Sequence, residues 1–180
     1  MIETVHAPTL PAELKVVREV GRWRTEQHAT HKTKSSHPHR PGNEGNELGV
    51  LGEIHLMHFL EDEPTFKMAP LFSPIARVAG QPDFWVHGQT IDIKCRQPRW
   101  DDMVIGTERD RWDDYYVLGK AWDMDYSGVT LIGWTTPDVI RSFPTKKINY
   151  GPPVYMVTGG FQPMGSLLQT LRGRSDDLHA

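Results

Sequence analysis

The chain has 180 residues, 38% of them apolar and 24% charged, with a formal net charge of −3, which suits one ordinary globular domain with a modest core. Its apolar runs, such as Tyr115–Leu118 and Val129–Trp134, fall short of the roughly 20 residues that cross a bilayer, so no membrane partner is expected. Cys95 is the only cysteine, which excludes an intramolecular disulfide and a multi-cysteine zinc site and favours a reducing cytoplasm. The start, Met1-Ile2-Glu3-Thr4-Val5, is not basic and has no apolar h-region, so no signal peptide is expected.

Pro11 to about Gln27 has helical spacing, with Leu14, Val17, Val20 and Trp23 three apart on one face and Thr9 or Pro11 to open it. Residues 28–45 are rich in His, Lys, Ser, Pro and Gly, lack periodicity and read as a basic, mobile segment. A second helix is expected from Asn43 or Asn46 to Leu60, with Val50, Ile54, Met57 and Leu60 as its inner stripe. From Pro82 the pattern turns to short strands. Phe84–His87 and Thr90–Arg96 flank a Gly88-Gln89 turn signal and predict a hairpin. Tyr115–Leu118 and Val129–Trp134 follow as strands. Pro137 and Asp138 then start a short helix to about Phe143. Pro153–Val157 reads as a last strand and Ser166–Leu171 as a helix stopped by Gly173. With no repeats and no second domain, residues 1–180 are expected to form one α/β unit bordering on α+β, with a mixed central sheet flanked by helices.

Three carboxylates and a lysine stand out. In Thr90-Ile91-Asp92-Ile93-Lys94-Cys95-Arg96, strand alternation turns Ile91, Ile93 and Cys95 one way and Asp92, Lys94 and Arg96 the other. An acid and a lysine on one face of a buried-looking strand is poor core design, and tolerating it points to a site. Folding back across Gly88-Gln89 sets Trp85 against Asp92 and Asp83 against Lys94, so that Asp83 shares their face. Glu53, three residues after Val50 and four before Met57, sits in or beside the apolar stripe of the second helix. A carboxylate there is costly unless it is paired or holds a cation. If the three carboxylates converge, they suit Mg²⁺ or Mn²⁺. A metal-bound water then becomes more acidic, and Lys94 adds a fixed positive charge.

Pro82-Asp83, eight residues, then Asp92-Ile93-Lys94 resembles the signature of the PD-(D/E)xK nuclease superfamily, the restriction-endonuclease-like enzymes. Gly49-Val50-Leu51-Gly52-Glu53 resembles the helix that carries an extra acid in that superfamily. The resemblance covers about Gly45 to Trp134, and the small chain suits a phage-type member. It implies Mg²⁺-dependent hydrolysis of DNA with a 5′-phosphate product. It casts Asp83 and Asp92 as metal ligands, Glu53 as a further ligand or water-positioning acid, and Lys94 as the catalytic lysine. The Gln-x-x-x-Tyr element of one exonuclease branch does not follow Lys94. A junction resolvase of the same fold would need a homodimer with two sites. A non-catalytic DNA-binding or inhibitory protein that keeps the fold is the alternative of another class. A small scaffold with incidental hairpin acids is a third.

The remaining candidates have a plain reading beside the functional one. Arg22, Arg24, Lys32, Lys34 and Arg40, set against Glu26 alone, would track DNA phosphates or form a solvated loop. Arg96 would hold a phosphate or pair with Asp101 or Asp102. Gln97 would face the metal-bound water or lie in a solvated loop. His28, His31, His37 and His39 lack the spacing of a zinc site. His55 and His58, a turn apart, would line the cleft near Glu53 or lie at the core's edge. Trp100, Trp112 and Tyr115-Tyr116 would stack on bases or belong to the core. Trp122 and Trp134 are expected in the core, and Cys95 as a small buried hydrophobe.

Overall fold

The computed structural model describes residues 3–30, 44–69, 71, 81–108, 111–148 and 152–177. Lys32, Lys34, Arg40 and most of the basic segment therefore lie outside the described residues. The chain begins with β1 (Val5–Pro8), α1 (Pro11–Thr30) and α2 (Glu44–Leu60). Then come β2 (Lys67–Met68), β3 (Phe84–Val86), β4 (Gln89–Arg96), β5 (Met103–Gly106), β6 (Tyr115–Ala121) and β7 (Gly128–Thr135). It ends with α3 (Pro137–Ser142), β8 (Thr145–Lys147), β9 (Pro153–Val157) and α4 (Met164–Asp177).

Six strands form the main sheet in the order β1-β7-β6-β4-β3-β2. Within it β4 and β6 run parallel while the other neighbours are antiparallel, so the expected mixed sheet is present. A second sheet, β5-β9-β8, was not anticipated. Strand alternation sorts the core onto two faces. On one, Ile91, Ile93, Tyr115, Val117, Leu131 and Trp134 meet Val50, Leu51 and Ile54 of α2 and Leu167 and Leu171 of α4. Tyr115 and Trp134 pack edge to face, 5.2 Å apart. On the other, Tyr116 and Leu118 meet Met103, Ile105 and Val157 of the small sheet and Ile140 of α3. The long helices thus cover one face only, and the small sheet with α3 covers the other. The result is α/β bordering on α+β.

Two helices differ from their sequence patterns. In α2, Leu48, Val50, Leu51, Gly52, Glu53, Ile54, His55, Leu56 and Leu60 are all buried, and Met57 only partly. The helix lies between α1 and the sheet, so two faces are covered where the pattern showed one stripe. Helix α4 runs through Gly173 instead of stopping there. An interior glycine costs a helix about 1 kcal/mol, and tertiary anchors offset it: Leu171 is fully buried and Arg172 donates to Glu63 Oε1 at 2.5 Å. That hydrogen bond, against the opposing effect of burial, holds the Glu63 carboxyl below its usual range, aided by His87.

His55 and His58 serve the contact between α1 and its surroundings. His55 shares a hydrogen bond with Thr9 Oγ1 at 3.1 Å, and burial lowers its pKa despite nearby Glu13. His58 lies 2.6 Å from Glu13 Oε1 and 3.3 Å from Glu61 Oε2. Burial works to lower its pKa, but hydrogen bonding and charge from the two carboxylates raise it on balance. Trp122, expected in the core, is 44% exposed, its indole N–H held by Thr130 Oγ1 at 3.0 Å.

Candidate active site

The site begins with the turn between β3 and β4. His87 and Gly88 have φ of 50° and 75°, the two positive values that a type I′ hairpin turn requires. The turn therefore falls one residue earlier than the Gly88-Gln89 expectation, because His87 adopts a conformation uncommon for a side-chain-bearing residue. The pairs are Phe84↔Ile91, Trp85↔Thr90 and Val86↔Gln89. Phe84↔Ile91 is the last pair of this ladder, so the expected pairing of Asp83 with Lys94 is not formed, and Asp83 N–H donates to Ile91 O at 3.2 Å. The register of the hairpin thus differs from the expected one by two residues.

Strand β3 begins at Phe84, so β4 runs on past its neighbour from Asp92 to Arg96. Asp83 turns its side chain into that gap, and its Oδ2 accepts the backbone N–H of Ile93 at 2.9 Å. A carboxylate thus takes the place of the strand carbonyl that β3 no longer supplies. Asp92, 5% exposed, accepts from Lys94 Nζ. The two side chains are two residues apart on one strand face, as alternation requires. Across the parallel pairing, Asp92 neighbours Tyr116, Lys94 neighbours Leu118, and Arg96 neighbours Lys120.

Glu53 reaches the same region from α2 and is 3% exposed. Arg24 of α1 grips it with both arms: Nη1 donates to Oε1 at 2.9 Å and Nη2 to Oε2 at 2.8 Å. Such a bidentate pair neutralises a buried carboxylate and fixes its orientation. Arg24, a candidate DNA contact, is engaged in this internal ion pair. The sequence carried a signal for this: Arg24 follows Val20 by four residues and Val17 by seven, on the buried stripe of α1.

Glu53, Asp83 and Lys94 line one cleft of 260 Å³, with the Ile93–Arg96 stretch of β4, Gly45, Gly49 and Val104 as the rest of its wall. Asp92 is not part of this wall, but it accepts from Lys94, which is. Gly52 brings the helix and strand together: a Cβ there would lie 2.8 Å from Cys95 Cβ and 3.4 Å from Ile93 Cδ1. Gly52→Ala is therefore expected to push α2 off β4, destabilise the fold by about 1–3 kcal/mol, and displace Glu53. Urea denaturation and the activity of the variant check this. Unchanged stability would show that the helix yields without strain.

The three carboxylates do not converge as expected. Among the described residues no three His, Cys, Asp or Glu side chains are gathered closely enough to hold a metal ion. Arg24 donates to Glu53, Lys94 to Asp92, and the Ile93 N–H to Asp83. Asp83, just before β3, and Asp92, on β4, are nevertheless buried acids whose oxygen donors match what Mg²⁺ or Mn²⁺ prefers.

The other candidates are placed as follows. Arg96 Nη2 donates to Asp102 Oδ1 at 3.1 Å, the plain reading of that residue. Gln97 is buried instead of solvated; its Nε2 donates to Glu44 Oε2 at 3.0 Å and its Oε1 accepts from Arg99 Nε at 3.1 Å. Arg22 is exposed on α1. Burial pushes the Cys95 thiol up to about 12, which removes it as a nucleophile at neutral pH. Comparisons of the chain with protein-family models, with curated proteins and with solved structures returned no match.

Proposed function

We propose that this chain is a metal-dependent nuclease of the PD-(D/E)xK type that hydrolyses phosphodiester bonds in DNA. The observation that supports it best is the placing of Glu53, Asp83 and Lys94 on one cleft, with Asp92 bonded to Lys94. Asp83 and Asp92 would hold Mg²⁺ or Mn²⁺ through carboxylate oxygens. When bound, the ion supplies a more acidic water and screens the phosphate charge. Lys94, partly exposed and tethered to Asp92, would orient the attacking water and stabilise charge developing on the phosphate. Glu53 is the further acid, kept in reserve by Arg24. The cleft is smaller than the roughly 300–1,000 Å³ of small-molecule pockets. That suits a phosphodiester approached from outside better than a metabolite enclosed within.

The test is incubation with linear, circular, single-stranded and four-way-junction DNA in Mg²⁺, Mn²⁺ or EDTA. Cleavage of at least one substrate with a divalent ion, abolished by EDTA, is expected. Inertness on all four with either ion sinks the reading.

A further inference from the structure

Beyond the cleft, β4 ends in a tight turn, Gln97-Pro98-Arg99-Trp100, closed by Trp100 N–H donating to Gln97 O at 3.0 Å. Proline and the buried Gln97 side chain fix this turn, and Trp100 projects from it with 40% of its surface exposed. Two guanidinium groups attend the ring: Arg99 lies 5.5 Å and Arg96 5.8 Å from its centroid. They are differently committed. Arg96, a wall residue of the cleft, is paired with Asp102, whereas Arg99 is exposed and donates to the neutral amide of Gln97. Among the described residues no carboxylate pairs with Arg99. A large exposed aromatic on a rigid turn, flanked by an arginine with charge to offer, sits four residues along the chain from a wall residue of the candidate site.

We propose that Trp100 is a stacking platform for an unpaired base and that Arg99 takes the adjoining phosphate, so that the chain's substrate is single-stranded DNA or a single-stranded stretch beside a duplex. This rests on the nuclease reading and names its substrate class. The reason is geometric. In a duplex each base face is covered by its neighbours, so an aromatic side chain finds a π-face only on an unpaired base. Stacking of this kind tolerates any sequence, because every base has such a face.

The experiment measures binding of a fluorescein-labelled oligo-dT and of the same strand in duplex, by anisotropy in EDTA. Hydrolysis of bis(p-nitrophenyl) phosphate in Mn²⁺ is followed alongside, because it reports phosphodiester chemistry without a base. Trp100→Ala is expected to weaken single-strand binding by about tenfold or more and duplex binding by less than about twofold. Trp100→Phe, which keeps an aromatic face, is expected to restore most of the loss. Arg99→Gln is expected to weaken single-strand binding and flatten its dependence on salt. Hydrolysis of the small diester is expected to be unchanged in all three variants. Unaltered single-strand binding in Trp100→Ala overturns the proposal, as do equal losses on single strand and duplex, or no rescue by phenylalanine. Absence of DNA cleavage by the parent chain with either ion, with Trp100-dependent binding intact, removes the nuclease reading and leaves the binding surface standing.

Discussion

Asp92→Asn and Lys94→Ala are each expected to lower metal-dependent DNA cleavage by about 10²–10³-fold, yet to move stability in different directions. Asp92 is buried and Lys94 is about a third exposed, with side-chain exposures of 7% and 35%. Removing the lysine leaves a charged carboxylate in a dry place, which costs about 1–3 kcal/mol. Removing the carboxylate's charge leaves a lysine that can turn to water, so Asp92→Asn is expected to be neutral or stabilising. Initial rates on the preferred DNA and thermal melting of the two variants check both halves. Lys94→Ala activity within tenfold of the parent would deny the lysine its role. Equal destabilisation by both variants would mean that the pair is held mainly by packing.

The second large effect concerns the Arg24–Glu53 pair. Arg24→Ala takes both guanidinium hydrogen bonds from a carboxylate whose side chain is 4% exposed, and breaking a buried pair from one side costs about 3–5 kcal/mol. For a chain of this size that corresponds to a fall in Tm on the order of 10 °C. The double variant Arg24→Met/Glu53→Leu removes both charges and keeps apolar volume, and it is expected to recover most of the loss. Urea denaturation of the two single variants and the double closes the cycle. Simple additivity would show that the guanidinium and carboxylate act independently, against the geometry of two hydrogen bonds at 2.9 and 2.8 Å.

The parts of the fold that were legible in the sequence are those whose residues carry their own signal. Leu14, Val17 and Val20 mark α1, and Tyr115–Leu118 and Val129–Trp134 mark the strands that carry the core. The parts that were not legible owe their form to neighbours. Strand β8 is Thr-Lys-Lys and wholly exposed; it is a strand only because β9 pairs with it. Strand β1 is half-buried on an edge, too short for its alternation to stand out. The site divides the same way. Asp92 and Lys94 share a face by strand geometry alone. The place of Asp83 depended on which residue accepted positive φ in the turn, and His87 gave no notice of that. Glu53 in a helix and Arg24 on the buried stripe of α1 were each legible, but that one would take the other was not, because the pairing joins two helices across a segment without periodicity.

The pairing of β1 with β7 bears on how the chain reaches this state. Val5 meets Leu131 and Pro8 meets Gly128, so a strand near the start must wait for one made far later. At roughly 5–20 residues per second of synthesis, that wait lasts about 6–25 s. Meanwhile the residues of β1 have no hydrogen-bonding partner in the growing sheet. So non-local a closure favours slow folding, because the entropy of a long loop is lost before the contacts form. It also gives the first few residues a protective task. Without Val5–Pro8, the backbone of Gly128–Leu131 becomes an open edge, the kind of surface on which unrelated chains add strands.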